Sequence, residues 1–302
     1  MCRLFGLSAA PNRVRATFWL LDAQDSLAAQ SRREPDGVGL GVFAADGTPI
    51  VHKRPVAAYK DTEFAREARE VQATTFLAHI RFASTGPVRA ANTHPFCQDS
   101  RLFAHNGIVG GLGRLEAELG EHRALVAGDT DSERLFALIT RHIQRAGGDV
   151  GAGIAAAVRW VAANVPVFSL NLVLTTPQEL WALRYPATHD LLVLQRQAGG
   201  PAGDRHLEHA SAPGTVRVRS RDLAAAPAVV VASERMDEDP GWRSLASGEL
   251  LHVGPALEVT STLVLDRSPA RPLTLAGLDA HAAASQQATS SSATGLPPSP
   301  TG

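Results

Sequence analysis

Met1-Cys2-Arg3-Leu4-Phe5-Gly6 opens the chain, and the cysteine at position 2 decides how the rest is read. Methionine is normally trimmed ahead of a small side chain. Trimming would leave Cys2 with a thiol and an α-amine on one residue. The thiolate is the nucleophilic form, and an ordinary thiol titrates near about 8.5. An α-amine titrates near about 7.7–8.0, so at neutral pH it can take or relay the thiol proton. One terminal residue would then supply nucleophile and base together. Taken alone, the same cysteine reads more simply as a buried side chain in a first strand, so other segments must decide.

The chain has 302 residues, 44% of them hydrophobic and 20% charged, which suits a folded core of one large domain or two ordinary ones. A net charge of −1 supplies no basic field for nucleic acid or anionic membrane. The two cysteines, Cys2 and Cys97, exclude a disulfide framework and a four-cysteine metal site. One Cys2–Cys97 bridge stays open and would disable the nucleophile. The N-terminus carries no basic-then-apolar signal segment, and no apolar run reaches the roughly 18 residues of a membrane span. The cytoplasm is the default location.

Residues 3–8 read as a first strand, and residues 14–32 as a mixed amphipathic stretch containing a helix. Arg33-Glu34-Pro35-Asp36-Gly37-Val38-Gly39 is turn-rich and leads into a strand at 40–43; a turn at 45–48 returns the chain as a strand at 49–53. A helix is expected over 62–72, a buried strand over 74–81 and another over 102–109. Asp129-Thr130-Asp131 opens a helix to about residue 145, with Leu135, Leu138, Ile139 and Ile143 on one face and either Thr130 or Asp131 as its cap. A second helix covers 151–164. Strands follow at 168–175, 179–185, 191–195 and 228–233, with a loop at 197–213 and a further loop and strand across 233–253. Trp242 reads as a packing anchor. From 268 the composition turns to Ala, Ser, Thr, Gln and Pro, and residues 282–302 are expected to be disordered. Strands grouped around a helical pair predict an α+β architecture with two sheets between helical layers.

Four further segments carry chemistry. His79-Ile80-Arg81 ends a strand with a guanidinium that can grip a carboxylate in bidentate fashion. Asn92-Thr93-His94-Pro95 is a turn ahead of a strand. His105-Asn106-Gly107 pairs a side-chain amide with a glycine N–H as two oxyanion donors. Thr130-Asp131-Ser132-Glu133 sets a carboxylate at a helix start, where it could cap the helix or face an ammonium. Each reads alone as an ordinary surface arginine, turn, Asn-Gly turn or cap. His79, His94 and His105 do not have the spacing of a standard zinc motif.

The set Met1-Cys2-Arg3, His79-Ile80-Arg81, Asn92-Thr93-His94-Pro95, His105-Asn106-Gly107 and Thr130-Asp131-Ser132-Glu133, in this order, resembles the class II glutamine amidotransferases. These are N-terminal-nucleophile (Ntn) hydrolases with a four-layer αββα sandwich. The resemblance covers roughly residues 2–260 and is nearest to stand-alone members, such as the γ-glutamyl hydrolase of ergothioneine biosynthesis. It implies Cys2 as nucleophile with its own α-amine as base, and Asn106 and Gly107 as oxyanion donors. It also implies Arg81 on the substrate α-carboxylate and Asp131 on its α-ammonium. The chain departs from the family's usual pattern at Ser84-Thr85-Gly86, where a histidine often precedes the glycine. It departs again at Asp36-Gly37-Val38-Gly39, where a tryptophan or an Arg-Gly pair is common. Both departures leave the leaving group undetermined.

The expectation is a single amidotransferase domain over 2–267 with a tail over 268–302. It would hydrolyse a small-molecule γ-glutamyl amide through a thioester, with no cofactor, metal, nucleic acid or membrane. After about residue 165 the sequence carries no nucleotide-binding loop of the GxxxxGK[ST] or GxGxxG type. Two alternatives stay open: a glutaminase subunit passing ammonia to a separate synthase, and a non-catalytic glutamate-binding module.

Overall fold

The computed structural model describes residues 2–83, 86–198, 208–210, 217–219 and 226–286. Its strands are β1 (Arg3–Ser8), β2 (Gly37–Phe43), β3 (Pro49–Arg54), β4 (Thr75–Arg81), β5 (Phe96–Gln98), β6 (Arg101–Val109), β7 (Val167–Thr175), β8 (Leu180–Leu183) and β9 (Leu192–Arg196). They continue with β10 (Glu208–Ala210), β11 (Arg217–Arg219), β12 (Ala228–Ala232), β13 (Arg243–Ser244), β14 (Glu249–Val253) and β15 (Val259–Leu263). The α-helices are α1 (Leu27–Gln30), α2 (Thr62–Glu70), α3 (Leu112–Leu119), α4 (Asp131–Arg145), α5 (Val150–Asn164) and α6 (Ala280–Gln286).

Two antiparallel sheets carry the architecture, ordered β13-β9-β12-β1-β4-β2-β3 and β15-β14-β8-β7-β6-β5. Alternation along the strands assigns every side chain to a layer. Leu4, Leu77, Leu102, Ala104, Val173 and Val231 fill the space between the sheets. Their strand neighbours Phe5, Phe76, Ala78 and Val230 turn outward to Trp19 and Phe64. On the second sheet, Phe103, Leu172 and Leu174 turn outward to Phe136, Leu138 and Val158 of α4 and α5. The result is the four-layer αββα sandwich expected from the sequence. No helix among the described residues is long and apolar enough to cross a membrane.

The amphipathic stretch at 14–32 is not one helix. Phe18–Asp22 forms a single π turn, and only Leu27–Gln30 is α-helical. Phe18, Trp19 and Leu20 are consecutive and all buried, which no single face of an α-helix accommodates. Ser26 then caps α1, its Oγ accepting from the Ala29 N–H. Trp242 packs edge-on against Trp19 at 6.1 Å, and its Nε1–H donates to Asp237 Oδ1 at 2.7 Å. The expected loop at 197–213 lies largely outside the described residues, but Glu208–Ala210 within it pairs with Arg217–Arg219. Strand β15 escaped sequence reading because Val-Thr-Ser-Thr-Leu offers little apolar alternation.

The tail expected from residue 268 is packed, not unstructured, as far as Gln286. The Leu273 N–H donates to Val167 O at 2.8 Å, and α6 covers part of the expected disordered segment. Leu273, Leu278 and Ala282 supply the apolar contact, closing over Phe168 and Ile108. Residues 287–302 lie outside the described residues.

Strand β2 turns its glycines toward the inter-sheet space. A Cβ on Gly39 would stand 1.9 Å from the His94 carbonyl oxygen, and one on Gly41 would stand 2.8 Å from Pro95 Cγ. The missing side chains let Thr93-His94-Pro95 lie directly on the sheet, which joins two of the sequence motifs. Gly39→Ala should therefore destabilise the fold by at least the ~1–3 kcal/mol typical of overpacking, measured by chemical denaturation. An unchanged midpoint would contradict this packing.

Candidate functional site

The alternation that fills the core with Leu4, Leu77 and Ala104 continues to one end of the sandwich. Cys2 shares Leu4's face of β1, His79 and Arg81 share Leu77's face of β4, and Asn106 shares Ala104's face of β6. All four therefore enter the same inter-sheet space where apolar filling stops.

Cys2 is buried at 7% exposure, and its Sγ accepts from the Phe82 N–H at 3.2 Å while the thiol donates to Phe82 O at 3.3 Å. Burial pushes the Cys2 thiol pKa up, and the Phe82 backbone contact opposes that. The resting group is a protonated thiol that needs a base. Both cysteines are unbridged; Cys97 is exposed.

Asn106 Nδ2 donates to the Cys2 carbonyl at 2.9 Å. Its amide thus holds the backbone of the candidate nucleophile, where the sequence reading aimed it at substrate. Asn106 Oδ1 is buried with no hydrogen-bond partner among the described residues. Gly107 is glycine for a reason the motif did not reveal: a Cβ there would stand 2.0 Å from Ser169 O on the paired strand β7. Gly107 also lines a narrow cavity of about 20 Å³, with Cys2, Arg81, Asn92, His105 and Thr130.

Arg81 donates from Nη1 to Pro87 O and from Nη2 to Gly86 O, both at 3.1 Å, so its fork organises the loop after β4. Cys2, Asp36 and Asp131 all act electrostatically on this guanidinium, although burial is the larger influence and lowers its pKa. Asp131 is 1% exposed, and its Oδ2 accepts from the Val109 N–H at 2.8 Å where the β6–β7 register shifts. The cap of α4 is Thr130, whose Oγ1 accepts from the Glu133 N–H at 3.2 Å. Asp131 is released from capping and sits within the field of Arg81. Asn92 ties the region together, donating to Pro87 O at 3.0 Å and accepting from the Asp129 N–H at 2.8 Å.

Three histidines lie behind this surface. His105 Nε2–H donates to Ser169 O at 3.1 Å, and Ser132 Oγ–H donates to Nδ1 at 2.9 Å, an assignment that requires a neutral ring. His79 and His94 pack against each other with centroids 4.1 Å apart and their planes tilted by 40°. Burial, with Arg81 and His105 nearby, pushes His79 down to about 3, and burial also holds His94 well below its usual value. Among the described residues, no group of three or more His, Cys, Asp or Glu could hold a metal ion.

Sequence reading missed the acidic residues around the start of β1. Arg3 is fully buried, with Nη2 2.7 Å from Glu234 Oε1 and Nη1 3.7 Å from Glu34 Oε1. Arg33 reaches Glu234 Oε2 at 3.1 Å. Burial raises the pKa of Glu34, and nearby Arg3 and Arg33 lower it. No local pattern announces Glu34 or Glu234, because their role depends on a contact 31 or 231 positions away from Arg3 in the chain. Asp36, in the turn noted from sequence, accepts from the Ala83 N–H at 2.9 Å and so braces the same loop as Arg81.

The family model of the class II glutamine amidotransferases matches residues 1–272. The chain belongs to this family. It is 28% identical over 267 residues to the gamma-glutamyl-hercynylcysteine sulfoxide hydrolase of Mycobacterium tuberculosis, covering 84% of this chain and 93% of that one. It is 31% identical over 155 residues to the isomerizing glutamine–fructose-6-phosphate aminotransferase of Idiomarina loihiensis, covering 51% of this chain and 25% of that one. The match spans 39%, 25% and 48% of the length of three of the curated relatives. The glutamine phosphoribosylpyrophosphate amidotransferase of B. subtilis shares the fold with a TM-score of 0.59 at 17% identity, over 88% of this chain and 50% of that one.

The neutral His79 sets a pH dependence for this family member's stability. Its pKa is about 3 folded against 6.5 ordinarily, so the unfolded state binds the extra proton between those values. Stability is present above about pH 6.5 and is lost as pH falls toward 3. His79→Gln should flatten the stability–pH curve across that window in urea titrations. Parallel curves for the two proteins would contradict a buried neutral ring.

Proposed function

We propose that this chain hydrolyses a γ-glutamyl amide, with Cys2 as an N-terminal nucleophile once Met1 is removed. The observation that supports the reading is that Cys2, Arg81 and Gly107 line one cavity, with Asn106 bonded to the Cys2 carbonyl and Asp131 within the field of Arg81. One thiol, two N–H donors, one cation and one anion match a substrate with a scissile carbonyl, a carboxylate and an ammonium.

The chemistry follows from these groups. The Cys2 α-amine takes the Sγ–H proton, and the Phe82 N–H at 3.2 Å supports the resulting thiolate. Sulfur attacks the side-chain carbonyl carbon while Arg81 holds the α-carboxylate and Asp131 the α-ammonium. The Gly107 N–H accommodates the oxyanion together with the second N–H of Asn106 Nδ2, whose first N–H stays on the Cys2 carbonyl. The C–N bond breaks, and the departing amine takes its proton from the α-ammonium. Water then adds to the glutamyl-thioester, gives its proton to the α-amine, and releases glutamate with the Cys2 thiol restored.

Hydrolysis as an end in itself is favoured over ammonia supply to a separate synthase, because the hydrolase relative is matched over 93% of its length and the aminotransferase relative over 25%. The same reading takes the domain as residues 2–267, places the reaction in the cytoplasm and requires no cofactor.

Steady-state glutamate release from glutamine and other γ-glutamyl amides tests this directly. Cys2→Ala should abolish turnover, and Asn106→Ala should lower kcat by about 10²–10³. Arg81→Lys should act mainly through KM, because an ammonium cannot reproduce the bidentate grip. Turnover by Cys2→Ala at the parent rate would overturn the proposal.

A further inference from the structure

The segment after residue 272 lies beyond the span matched by the family model, yet it packs against the residues that flank the candidate site. Ala282 of α6 is 4% exposed and joins Ile108 and Phe168 in one apolar cluster. Ile108 follows Gly107 directly, and Phe168 precedes Ser169, the acceptor for His105. At one end of α6, the His281 ring lies 6.1 Å from the Phe82 ring, next to the backbone that holds Cys2 Sγ. At the other end, His189 Nε2–H donates to Gln286 Oε1 at 3.0 Å. A seven-residue helix is about 10 Å long, so α6 bridges from the nucleophile to whatever lies at His189.

A cavity of about 630 Å³ lies there, lined by Phe168, Thr188, His189, Leu273, Leu275 and Gln286 among others. None of its lining side chains carries a full charge at neutral pH; His189 is kept neutral chiefly by burial. Arg3 also acts electrostatically on His189, which puts this wall within reach of the start of β1. Phe168 and His189 meet edge-on at 5.4 Å and give the cavity an aromatic wall. The cavity at Cys2 is about 20 Å³, room for about one water, while this one has the volume of an ordinary small-molecule site.

We propose that the larger cavity is the subsite for the leaving amine, that its occupant is an uncharged amine with an aromatic or apolar body, and that α6 is the partition that yields when substrate spans both cavities. The inference rests on the proposed γ-glutamyl hydrolysis and adds the class of leaving group. The amine would depart across α6 while the glutamyl part stays with Cys2, Arg81 and Asp131. Ala282, His281 and Gln286 are then specificity-determining residues supplied by a segment outside the matched family span.

The test compares kcat/KM for L-γ-glutamyl-p-nitroanilide and for L-glutamine, whose leaving group is ammonia, in the full chain and two variants. Leu275 is exposed, so Leu275→Arg should fold normally and block the cavity, lowering the anilide value at least tenfold while glutamine stays within threefold. Ala282→Glu should loosen α6 and raise the anilide value relative to glutamine by at least threefold. Equal effects on both substrates, no effect on either, or glutamine turnover with no anilide turnover in any variant would each overturn the subsite. Turnover of neither compound by the parent chain would instead overturn the hydrolytic reading, and this inference with it.

Discussion

The hydrogen bond from Asn106 Nδ2 to the Cys2 carbonyl, 2.9 Å long, joins the two sheets beside the candidate nucleophile. Cys2 immediately precedes β1 of the seven-stranded sheet and Asn106 sits on β6 of the six-stranded one. The sheets also meet through apolar contact such as Leu4 and Leu77 against Leu102 and Val173, which is not directional, and through Thr75 Oγ1, which donates to Thr176 O at 2.7 Å. At this end the filling changes to polar side chains, and the amide–carbonyl bond sets the position of Cys2 to within hydrogen-bonding tolerance. Under the proposed reading Cys2 would have covalent restraint on one side only, so the hydrogen bonds from Asn106 to its carbonyl and from Phe82 to its Sγ would hold its geometry.

Around that bond, two buried arginines each face two carboxylates. Arg3 is fully buried between Glu34 and Glu234, and Arg81 stands within the fields of Asp36 and Asp131. Removing one partner of such a pair leaves an uncompensated buried charge, which costs far more than the intact pair contributes. The pairs therefore act as registration devices more than as sources of stability. Arg3 registers β1 against the turn at Glu34, and Arg81 registers the loop that carries the Phe82 contact to Cys2. The three neutral histidines behind the site add bulk and, through His105, hydrogen bonds between β7 and α4.

Much of this was legible in the sequence because it depends on local pattern. The apolar runs at 74–81 and 102–109 located β4 and β6, the strands that carry Arg81 and Asn106. The choice between Thr130 and Asp131 as cap needed coordinates, since both residue types cap well; only the Thr130 Oγ1 contact settles it. Features that rest on distant pairing were not legible. Nothing near Glu34 or Glu234 points to Arg3, and nothing in Gly39 alone points to the His94 carbonyl. The composition of residues 268–286 misled for a related reason. Few apolar residues were present, but Leu273, Leu278 and Ala282 meet a prepared surface at Phe168 and Ile108.

The central claim is that Cys2 becomes a terminal nucleophile in a glutamine-shaped site. Intact-mass spectrometry of the purified chain before and after treatment with 6-diazo-5-oxo-norleucine, with peptide mapping, measures it most directly. The account predicts loss of Met1 and a single adduct on Cys2 that is absent from the Cys2→Ala chain. Retention of Met1 with no adduct would contradict it.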